Sequence, residues 1–358
     1  MEFPLIYTKQ ALFGLDIGQH SAKFMQLRRA NKRLSIIGFG STLHHNGAVI
    51  EGVIAEPDVL AESLRVGLRH PAYGKITAQA AVAGLPQAHL FTRILTLPAM
   101  EHDKLAEAVQ WESQQYIPMP MNDLYLDFEI INVHKDENGQ EKQYDILMVA
   151  APRAIIDSYM HLFELLKITP HGLETTLAAN IRALRPHNPP DTVLIIDAGS
   201  TATDMAVVAD TIRVTTSVPV GGELLIKILV QKLKITRDQA EEIVVRFGIA
   251  DSGLQKKVVN ATANQLQIIV TEATKLLKYY TERSQTNQQT KISRILLSGG
   301  VAQMPGLADY ISKATRLRVE VASPWGQHLI TLPQSLPVNV ATKFTTVFGL
   351  ALREFQDA

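Results

Sequence analysis

The sequence predicts an α/β protein made of two related lobes. Its 358 residues exceed the size at which one hydrophobic core usually stops growing, so two domains are expected. Hydrophobic residues make up 46% and charged residues 20%, a composition typical of a folded globular chain. Most informative, one pattern occurs twice: an apolar strand, an Asp-x-Gly turn and a second strand. It stands near the start of the chain in "LFGLDIGQHSAKFMQL" and returns in "TVLIIDAGSTATDMAVV".

The first half of the chain alternates strand and helix patterns. Apolar runs or alternations predict strands, and apolar residues at helical spacing predict helices. A turn at "DENGQ" separates two strands, and the prolines of "YIPMP" end a helix. The predicted strands are 12–17, 22–28, 33–41, 78–83, 125–133 and 144–151, and the predicted helices are 58–69, 103–116 and 153–166.

A break separates the two halves. Three prolines in "RPHNPPD", residues 185–191, cannot continue a helix, so the chain is expected to pass between lobes there. The strand–turn–strand pattern then starts again. Helices are predicted at 223–233, 237–247 and 254–284, followed by a strand at 294–297 and the glycine-containing loop "SGGVAQMPGL".

Composition excludes several classes of function. Lys plus Arg and Asp plus Glu both number 35, whereas a nucleic-acid-binding chain usually has a basic excess, so no nucleic-acid partner is expected. The absence of cysteine excludes disulfides and thiolate metal sites. The chain shows no signal-peptide pattern and no apolar run of roughly 20 residues. We therefore expect a cytoplasmic protein that does not insert directly into the membrane.

The first turn has residues suited to phosphate binding. A glycine such as Gly18 lets backbone N–H groups approach phosphate oxygens, and Lys23 on the outgoing strand can supply a positive charge. Asp16 at the strand end can hold the water shell of Mg²⁺. Taken alone, this stretch also fits an ordinary hairpin with a solvated lysine.

Two later stretches favour the binding interpretation. Asp197 and Gly199 repeat the carboxylate and glycine of the first turn, and Ser200 and Thr201 add hydroxyl groups. The Gly-Gly of "LLSGGVAQMPGL" ends a strand and permits close approach of a flat ligand such as adenine. Each stretch could serve geometry alone, but their order along the chain is specific.

The three stretches, in this order, resemble the actin-like ATPase superfamily. The resemblance narrows to the PilM family of type IV pilus and type II secretion assembly, which is related to the division protein FtsA. It extends over nearly the whole chain, through "GLDIGQHSAKF", "AVQWESQQYIPMPMNDLYLDF", "LIIDAGSTATDMAVV", "VPVGGELLIKIL" and "AEEIVVRFGI". It implies a two-lobed actin-like (ribonuclease H-like) fold with an inserted FtsA-like subdomain.

The resemblance also implies a binding site for ATP and Mg²⁺. The residues expected at the phosphates are Asp16, Gly18, Gln19, His20, Lys23, Asp197, Gly199, Ser200 and Thr201. Those expected at the nucleoside are Gly221, Gly222, Glu241, Gly299 and Gly300. Asp16 and Asp197 would hold Mg²⁺ through water.

The chain departs from the family pattern at several of these places. Gln19 and His20 stand where small serines are common. Val244 replaces a lysine near the nucleoside, and Ile226 and Thr216 replace Thr and Arg. These changes predict weak or even lost nucleotide affinity, which leaves open a degenerate scaffold that binds no ATP.

Support for catalysis is weaker than support for binding. Glu174, in the segment that connects the halves, is the one candidate for orienting a water, and it could equally be a carboxylate at a helix N-terminus. No acceptor signature of a small-molecule kinase is evident, although that alternative shares the fold. At most a slow ATPase is expected.

The resemblance further implies a domain plan and a protein partner. The first lobe would comprise 1–85 and 167–188, the inserted subdomain 86–166, and the second lobe 189–358, with 223–290 as its helical part. The partner would be the N-terminal cytoplasmic tail of a PilN-like inner-membrane protein, which would hold the chain at the inner face of the membrane. Its groove is expected near the helix exit at Ile117 and at Leu126, on an edge strand. Self-association remains an open alternative.

Overall fold

Strands and helices alternate along the chain, as the sequence patterns predict. A computed structural model describes residues 11–31, 33–185, 191–250, 253, 255–284, 291–326, 328–333, 336 and 338–355. Most of the expected break, residues 186–190, lies outside the described residues. The strands are β1 (Leu12–Ile17), β2 (Ser21–Ala30), β3 (Arg33–Leu43), β4 (Val49–Ile50), β5 (Val53–Ile54), β6 (Tyr73–Gly74), β7 (Ala80–Leu85), β8 (Phe91–Pro98), β9 (Leu124–Lys135), β10 (Glu141–Pro152), β11 (Thr169–Thr175), β12 (Thr192–Ala198), β13 (Thr203–Val208), β14 (Ile212–Val218), β15 (Ile292–Ser298), β16 (Arg318–Val321) and β17 (Ile330–Thr331). The α-helices are α1 (Pro57–Arg69), α2 (His102–Gln114), α3 (Arg153–Leu166), α4 (Thr176–Leu184), α5 (Gly222–Leu233), α6 (Arg237–Glu242), α7 (Gln255–Ser284), α8 (Leu307–Thr315) and α9 (Thr345–Ala351).

The two lobes are built on sheets of the same design. The first sheet has the order β11-β7-β1-β2-β3-β17, with β6 paired to β3 outside this path. The second has the order β14-β13-β12-β15-β16. In each, three successive strands form an antiparallel meander, and later strands extend the sheet in parallel from the first strand of the meander. The duplication predicted from the repeated turn is therefore confirmed.

Two buried helices fill the space between the sheets. α4 packs against α9, and α9 also contacts β1, β2 and β7. Their core takes side chains from both lobes, including Met25 of β2, Ile195 of β12, and Phe348 of α9. Since α4 leads from the first lobe to the second, this core joins the lobes at the base of the cleft.

The opposite face of the first sheet is covered by α1 and α3. Tyr159 and Phe163 of α3 lie in one core with Phe13 of β1 and Leu60 of α1. The sequence predicted that the inserted subdomain spans 86–166, and α3, the last helix of that range, packs on the first sheet. Long-range packing assigns α3 to the first lobe, although α3 directly follows a strand of the subdomain.

The inserted subdomain is a small unit of its own. Its sheet has the order β8-β10-β9, and α2 packs on one face. Among the described residues β9 pairs with β10 alone, so it is the edge strand that the sequence predicted. Buried residues shared by the sheet and α2 form the core: Leu95, Leu105, Val109, Ile117, Leu124, Tyr144, Ile146, Met148 and Ala150.

Helices α5 to α8 cover the outer face of the second sheet. Alternate residues of β12 divide between two cores, because Leu194 and Ile196 face these helices whereas Val193 and Ile195 face α4 and α9. The helix predicted at 237–247 begins as α6 and ends in a π-helical turn, Ile243–Phe247. In the part of the chain that the structure describes, no helix is both long and apolar enough to cross a membrane.

Candidate functional site

The first Asp-x-Gly turn places a carboxylate beside an ammonium group. Asp16 of β1 lies opposite Lys23 of β2 in the antiparallel register, so both side chains project from the same face of the sheet. Lys23 Nζ is 3.3 Å from Asp16 Oδ2. The turn is tight, because the Gly18 N–H donates to the Ser21 carbonyl at 2.9 Å. Both predicted charges of this turn thus lie at the end of β1.

The second turn has the same backbone with different charges. The Gly199 N–H donates to the Ala202 carbonyl at 2.9 Å, which closes the turn in the same way. Asp197 of β12 lies opposite Asp204 of β13, so an aspartate takes the place that lysine has in the first turn. Sequence reasoning missed Asp204. The signal was available, because Asp204 follows Asp197 at the same spacing at which Lys23 follows Asp16.

The two turns face each other across the cleft between the lobes. Burial and the nearby carboxylates of Asp204 and Asp16 together raise the pKa of Asp197 to about 7, against the hydrogen bond from Asn180 and the positive charge of Lys23, which lower it. Electrostatic influence of this kind requires short distances. Asp16 and Lys23 of the first turn therefore lie close enough to Asp197 of the second turn to influence its charge.

Asp204 is the second carboxyl group whose pKa is raised. Burial raises its pKa to about 6, against a hydrogen bond from the Ser217 hydroxyl at 2.6 Å. Two adjacent carboxylates that are both hard to ionise form a place where a cation would be stabilised.

A buried amide connects Asp197 to the helices between the lobes. Asn180 of α4 is fully buried, and its Nδ2 donates to Asp197 Oδ2 at 2.7 Å. Its Oδ1 accepts a hydrogen bond from the Thr346 hydroxyl of α9 at 3.0 Å. Asn180 was not anticipated from the sequence. It fixes the orientation of Asp197 relative to α4 and α9.

The glycine-containing loops enclose the second turn. The N–H groups of Gly222 and Glu223 donate to the carbonyls of Gly199 and Ser200 at 3.0 and 2.9 Å. Gly299 has a φ of +95°, and a Cβ there would lie 2.6 Å from Asp197 Oδ1. The stretches containing Gly221, Gly222, Gly299 and Gly300 thus converge on the second turn, as the sequence predicted for a single site.

Gly221 and Gly300 have different surroundings within these loops. A Cβ at Gly221 would lie 2.7 Å from the carbonyl carbon of Thr201, so this position excludes a side chain. A Cβ at Gly300 would meet nothing within 4 Å. Gly300 therefore borders open space beside the second turn, where a ligand can approach the backbone.

A chain of ionic contacts crosses the cleft from His20. His20 Nε2 lies 3.0 Å from Glu223 Oε1 at the start of α5. The same carboxylate pairs with Arg237 at 2.6 Å, and Arg237 also pairs with Glu241 at 2.8 Å. Burial acts to raise the pKa of Glu223, but the hydrogen bond and charge of Arg237, together with the contact to His20, lower it overall. The predicted nucleoside residue Glu241 is thus engaged by Arg237, and His20 bridges the lobes.

Gln19, the other departure in the first turn, is held by its own lobe. Its amide Nε2 donates to the Val49 carbonyl at 3.0 Å. His44 approaches the Gly18 carbonyl through Nε2 at 3.1 Å. These contacts fix the backbone of the turn, which is the part expected to meet phosphate.

The catalytic candidate Glu174 has a structural role. Both of its carboxylate oxygens accept hydrogen bonds from Arg182 of α4 at 2.6 Å, and Arg182 also donates to the Gly349 carbonyl. This bidentate pair ties β11 to the helices between the lobes. Both carboxylate oxygens are thus engaged within the protein, and the orientation of a water by Glu174 stays a prediction.

The two residues expected in the partner groove both contact the core of the inserted subdomain. Ile117 is only 7% exposed and belongs to the core under α2, while Leu126 is half-buried and packs against the same core. The proline-rich exit from α2 was correctly located, but the apolar side chain at 117 turns inward to pack against Leu105 and Val109. Ile117 is thus a core residue, whereas its neighbour Tyr116 is 46% exposed.

Three residues that depart from the family pattern near the expected nucleoside position have side chains engaged within the protein. Val244 lies in the π-helical turn, is 7% exposed, and packs in the core of the second lobe. Ile226 packs against the same core. Thr216 donates a hydrogen bond to Glu272 at 3.0 Å. These side chains are committed to packing or to protein partners.

The donor set suits a hydrated magnesium ion and a phosphate chain. Asp16, Asp197 and Asp204 offer hard oxygen ligands, and Lys23 offers a point charge. Within the described residues, no three His, Cys, Asp or Glu side chains are arranged to hold a metal directly.

Comparisons with known proteins agree with this architecture. The family model described as type IV pilus assembly protein PilM matches residues 14–355. The solved PilM–PilN type IV pilus biogenesis complex contains a chain similar over 98% of this chain and 100% of its own, at 21% identity and a TM-score of 0.83. MreB5 of Spiroplasma citri bound to AMPPNP is similar over 98% of this chain and 97% of its own, at 13% identity and a TM-score of 0.53.

A relative is also found by sequence. Cell division protein FtsA of Neisseria meningitidis serogroup B (strain ATCC BAA-335 / MC58) is 28% identical over 150 residues, which are 37% of this chain and 36% of that protein. The match thus spans about a third of each. Together with the sheets described above, the structural similarities confirm the actin-like fold that the sequence predicted.

Proposed function

Because the chain belongs to the family of type IV pilus assembly proteins PilM, we propose that it is a cytoplasmic, nucleotide-binding assembly protein of the pilus machinery. It would bind ATP with Mg²⁺ in the cleft and the N-terminal cytoplasmic tail of a PilN-like membrane protein on its surface. The tail would keep it at the inner face of the membrane. The PilM chain of the similar solved structure is in complex with PilN, which supports a partner of this kind.

One observation carries the nucleotide proposal: Asp16, Lys23 and Asp197 come together from two distant stretches of sequence. Lys23 would pair with phosphate oxygens, and backbone N–H groups of the two turns would contact them. Asp16 and Asp197 would hold Mg²⁺ through water, with Asp204 beside them. The ion would supply positive charge against the phosphates.

Thermal unfolding tests the proposal. A ligand that binds only the folded protein stabilises it by mass action, by about 2.7 kcal/mol at one hundred times Kd. Millimolar Mg–ATP should therefore raise the melting temperature more than ATP with a chelator. Asp197→Asn should abolish the rise, and the matched control Asp309→Asn, at an exposed carboxylate of α8, should keep it.

The outcomes separate the alternatives. No rise in the unaltered protein at millimolar Mg–ATP would support the degenerate scaffold. An undiminished rise in Asp197→Asn would contradict the assignment of the site. With Glu174 engaged by Arg182, hydrolysis should stay far below the 1–100 s⁻¹ typical of kinases. Turnover in that range would instead favour a kinase of the same superfamily.

The tail is proposed to bind along β9. This strand has a free edge, and an extended peptide can add a strand to such an edge. Ile130 and Val133 on β9 are each 39% exposed, which is unusual for aliphatic side chains beside a core. The same edge could instead pair with a second copy of the chain, so self-association is an outcome to be measured.

Peptide binding tests this location. In titrations of a labelled partner-tail peptide, Ile130→Glu and Val133→Glu should each weaken binding about tenfold, because a carboxylate would lose water at an apolar contact. The control is Val245→Glu, at a valine of the second lobe that is 66% exposed. Mg–ATP binding should survive in all three variants. Unchanged peptide affinity in both β9 variants would place the tail elsewhere.

A further inference from the structure

A pocket on the first lobe lies apart from the nucleotide cleft. It has a volume of about 580 Å³, within the range of small-molecule sites, and lies between the C-terminal ends of α1 and α3. Phe13, near the start of β1, lies at its base, whereas Asp16 stands near the other end of that strand. Phe13 belongs to the core under α1 and α3, on the sheet face opposite α9. The pocket is therefore on the other face and at the other end of the sheet from the cleft.

The lining combines aliphatic walls with positive charge. Six half-buried aliphatic residues form the walls, and three cations, Arg65, Arg69 and Lys167, stand among them. No carboxylate is among the residues that line the pocket. In a chain whose formal net charge is zero, this is a local excess of positive charge beside apolar surface. The aliphatic residues are Leu68, Ile76, Ala78, Leu165, Leu166 and Ile168.

All three cations stand at the C-terminal ends of helices, but only Arg65 donates a hydrogen bond to a helix terminus. Arg65 donates to the Leu165 carbonyl at 2.8 Å and pairs with Glu62, so it caps the end of α3. Within the described ranges, the side chains of Arg69 and Lys167 make no hydrogen bond or ion pair with any residue. Their charges remain available to a ligand.

We propose that this pocket binds an amphiphile with an anionic head group and an aliphatic chain. Arg69 and Lys167 would contact the anionic oxygens at the rim, and the aliphatic walls would cover the chain. Arg65, already oriented by Leu165 and Glu62, would add charge without having to be ordered on binding. Two sources share this chemistry: a free amphiphile in solution and a lipid of an anionic bilayer.

Calorimetry with decyl phosphate, kept below its micelle concentration, tests the proposal on the full chain. Saturable one-to-one binding is expected, and decyl trimethylammonium, of the same chain length and opposite charge, should not bind. The double variant Arg69→Glu with Lys167→Glu should weaken decyl phosphate binding at least tenfold. Leu166→Gln should also weaken it while leaving every charge in place.

The matched control is Lys234→Glu with Arg316→Glu. Like Lys167, these residues follow the last turn of a helix in the left-handed conformation, with φ of 54° and 58° against 55° for Lys167. This control variant reverses two charges at helix ends that lie away from the pocket. Its binding of decyl phosphate should therefore be unchanged. Equal losses in both double variants would overturn the proposal.

Two further arms complete the test. Flotation with phosphatidylglycerol vesicles, compared with phosphatidylcholine vesicles, distinguishes a bilayer lipid from a free amphiphile as the ligand. Binding of either ligand supports the proposal if the double variant Arg69→Glu with Lys167→Glu abolishes that binding. Absence of binding to both decyl phosphate and anionic vesicles overturns it. Displacement of decyl phosphate by the partner-tail peptide, with loss of peptide binding in the same double variant, would make this a peptide site and overturn the lipid proposal.

Discussion

The two Asp-x-Gly turns have the same backbone and opposite electrostatics. In the first, Lys23 neutralises Asp16 at 3.3 Å. In the second, Asp204 stands at the equivalent position, and burial raises the pKa of Asp197 to about 7 and that of Asp204 to about 6. A duplicated fold has therefore kept its geometry while its two halves acquired different charges. The first turn is suited to an anion, and the second to a cation.

The surroundings of the turns differ as well. The loops containing Gly221 and Gly299 enclose the second turn, whereas a Cβ at Gly18 of the first would meet only the Ser21 carbonyl, at 3.3 Å. The first turn is instead held by side chains, Gln19 to Val49 and His20 to Glu223. Substitutions in the first turn, in the second turn and in the loops around the second turn should therefore have unequal effects.

The largest difference is expected for glycine. Gly299→Ala would force a left-handed φ on alanine and place its Cβ 2.6 Å from Asp197 Oδ1. It should lower the free energy of unfolding by about 2–4 kcal/mol, measured by chemical denaturation. Gly300→Ala next to it, facing open space, and Gly18→Ala in the first turn should each change stability far less. Equal losses at Gly299 and Gly300 would contradict the enclosure of the second turn.

The next effect concerns the lysine of the first turn. Lys23→Met removes the partner of a carboxylate whose side chain is only 12% exposed. An unpaired, largely buried charge should lower the free energy of unfolding by about 1–3 kcal/mol. Adding Asp16→Asn to Lys23→Met should restore most of the loss, since no charge is then left unpaired. A double variant no better than the single would mean that the loss comes from packing.

The equivalent substitution in the second turn should have the opposite sign. Asp204→Asn keeps the shape and the hydrogen bond from Ser217 but removes a charge beside Asp197. Without divalent ions at pH 8, it should raise the free energy of unfolding by about 1 kcal/mol, because like charges no longer repel in a buried place. It should at the same time weaken Mg–ATP binding. If Asp204→Asn instead destabilised the protein, the repulsion between Asp197 and Asp204 would have to be offset by another interaction of Asp204, and the two turns would not differ as argued.

The pH dependence of stability follows from the same carboxyl groups. The pKa of Asp197 is raised to about 7 in the folded protein, above its value near 3.8 in the unfolded chain, so the folded state binds more protons between these values. Lowering the pH from 8 towards 6 should therefore stabilise the metal-free protein. Asp197→Asn should flatten this dependence by roughly one proton. The variant also controls for His44 and His89, whose pKa values burial lowers and which act in the opposite direction.

Much of the fold could be predicted because local patterns determine it. β1 and α3 begin and end at the predicted residues, since continuous apolar runs and helical spacing are unambiguous there. α9 was missed. Its sequence, "TTVFGLA", is buried almost all round, and periodicity cannot distinguish such a helix from a strand. The membership of α3 in the first lobe was missed for a different reason, because it depends on contacts distant in sequence.

The features of the candidate site also divide into those that local sequence patterns predict and those that they do not. The glycine and aspartate positions were predictable, because tight turns and phosphate contacts restrict which residues can stand there. The engagement of Glu174 by Arg182 and of His20 by Glu223 depends on how helices and lobes are placed, which no local pattern contains. Ile117 shows the limit most clearly: a proline-rich exit predicts where the chain turns but not the side to which its apolar residue points.

The smallest expected effect concerns the contact by which the first turn reaches across the cleft. His20 stands where the family has small residues, and its Nε2 lies 3.0 Å from Glu223, so the departure from the family pattern is at the same time the bridge between the lobes. Glu223→Gln keeps the size of the side chain and removes the charge. Partly exposed ion pairs contribute about 0.2–1 kcal/mol, so ATP should dissociate faster by up to about fivefold.

Stopped-flow displacement of a fluorescent ATP analogue measures this rate. Glu242→Gln is the matched control, because Glu242 pairs with Arg246 on its own helical segment, at 2.6 Å, and bridges nothing. Glu223→Gln also weakens the pair with Arg237, so His20→Ser isolates the contact between the lobes. His20→Ser should speed ATP release in the same direction, and adding it to Glu223→Gln should increase the effect little, since the His20–Glu223 contact is already lost. If both variants released the analogue at the rate of the unaltered protein, the His20–Glu223 contact would have no part in closing the cleft, and the first turn would act through its backbone and Lys23 alone.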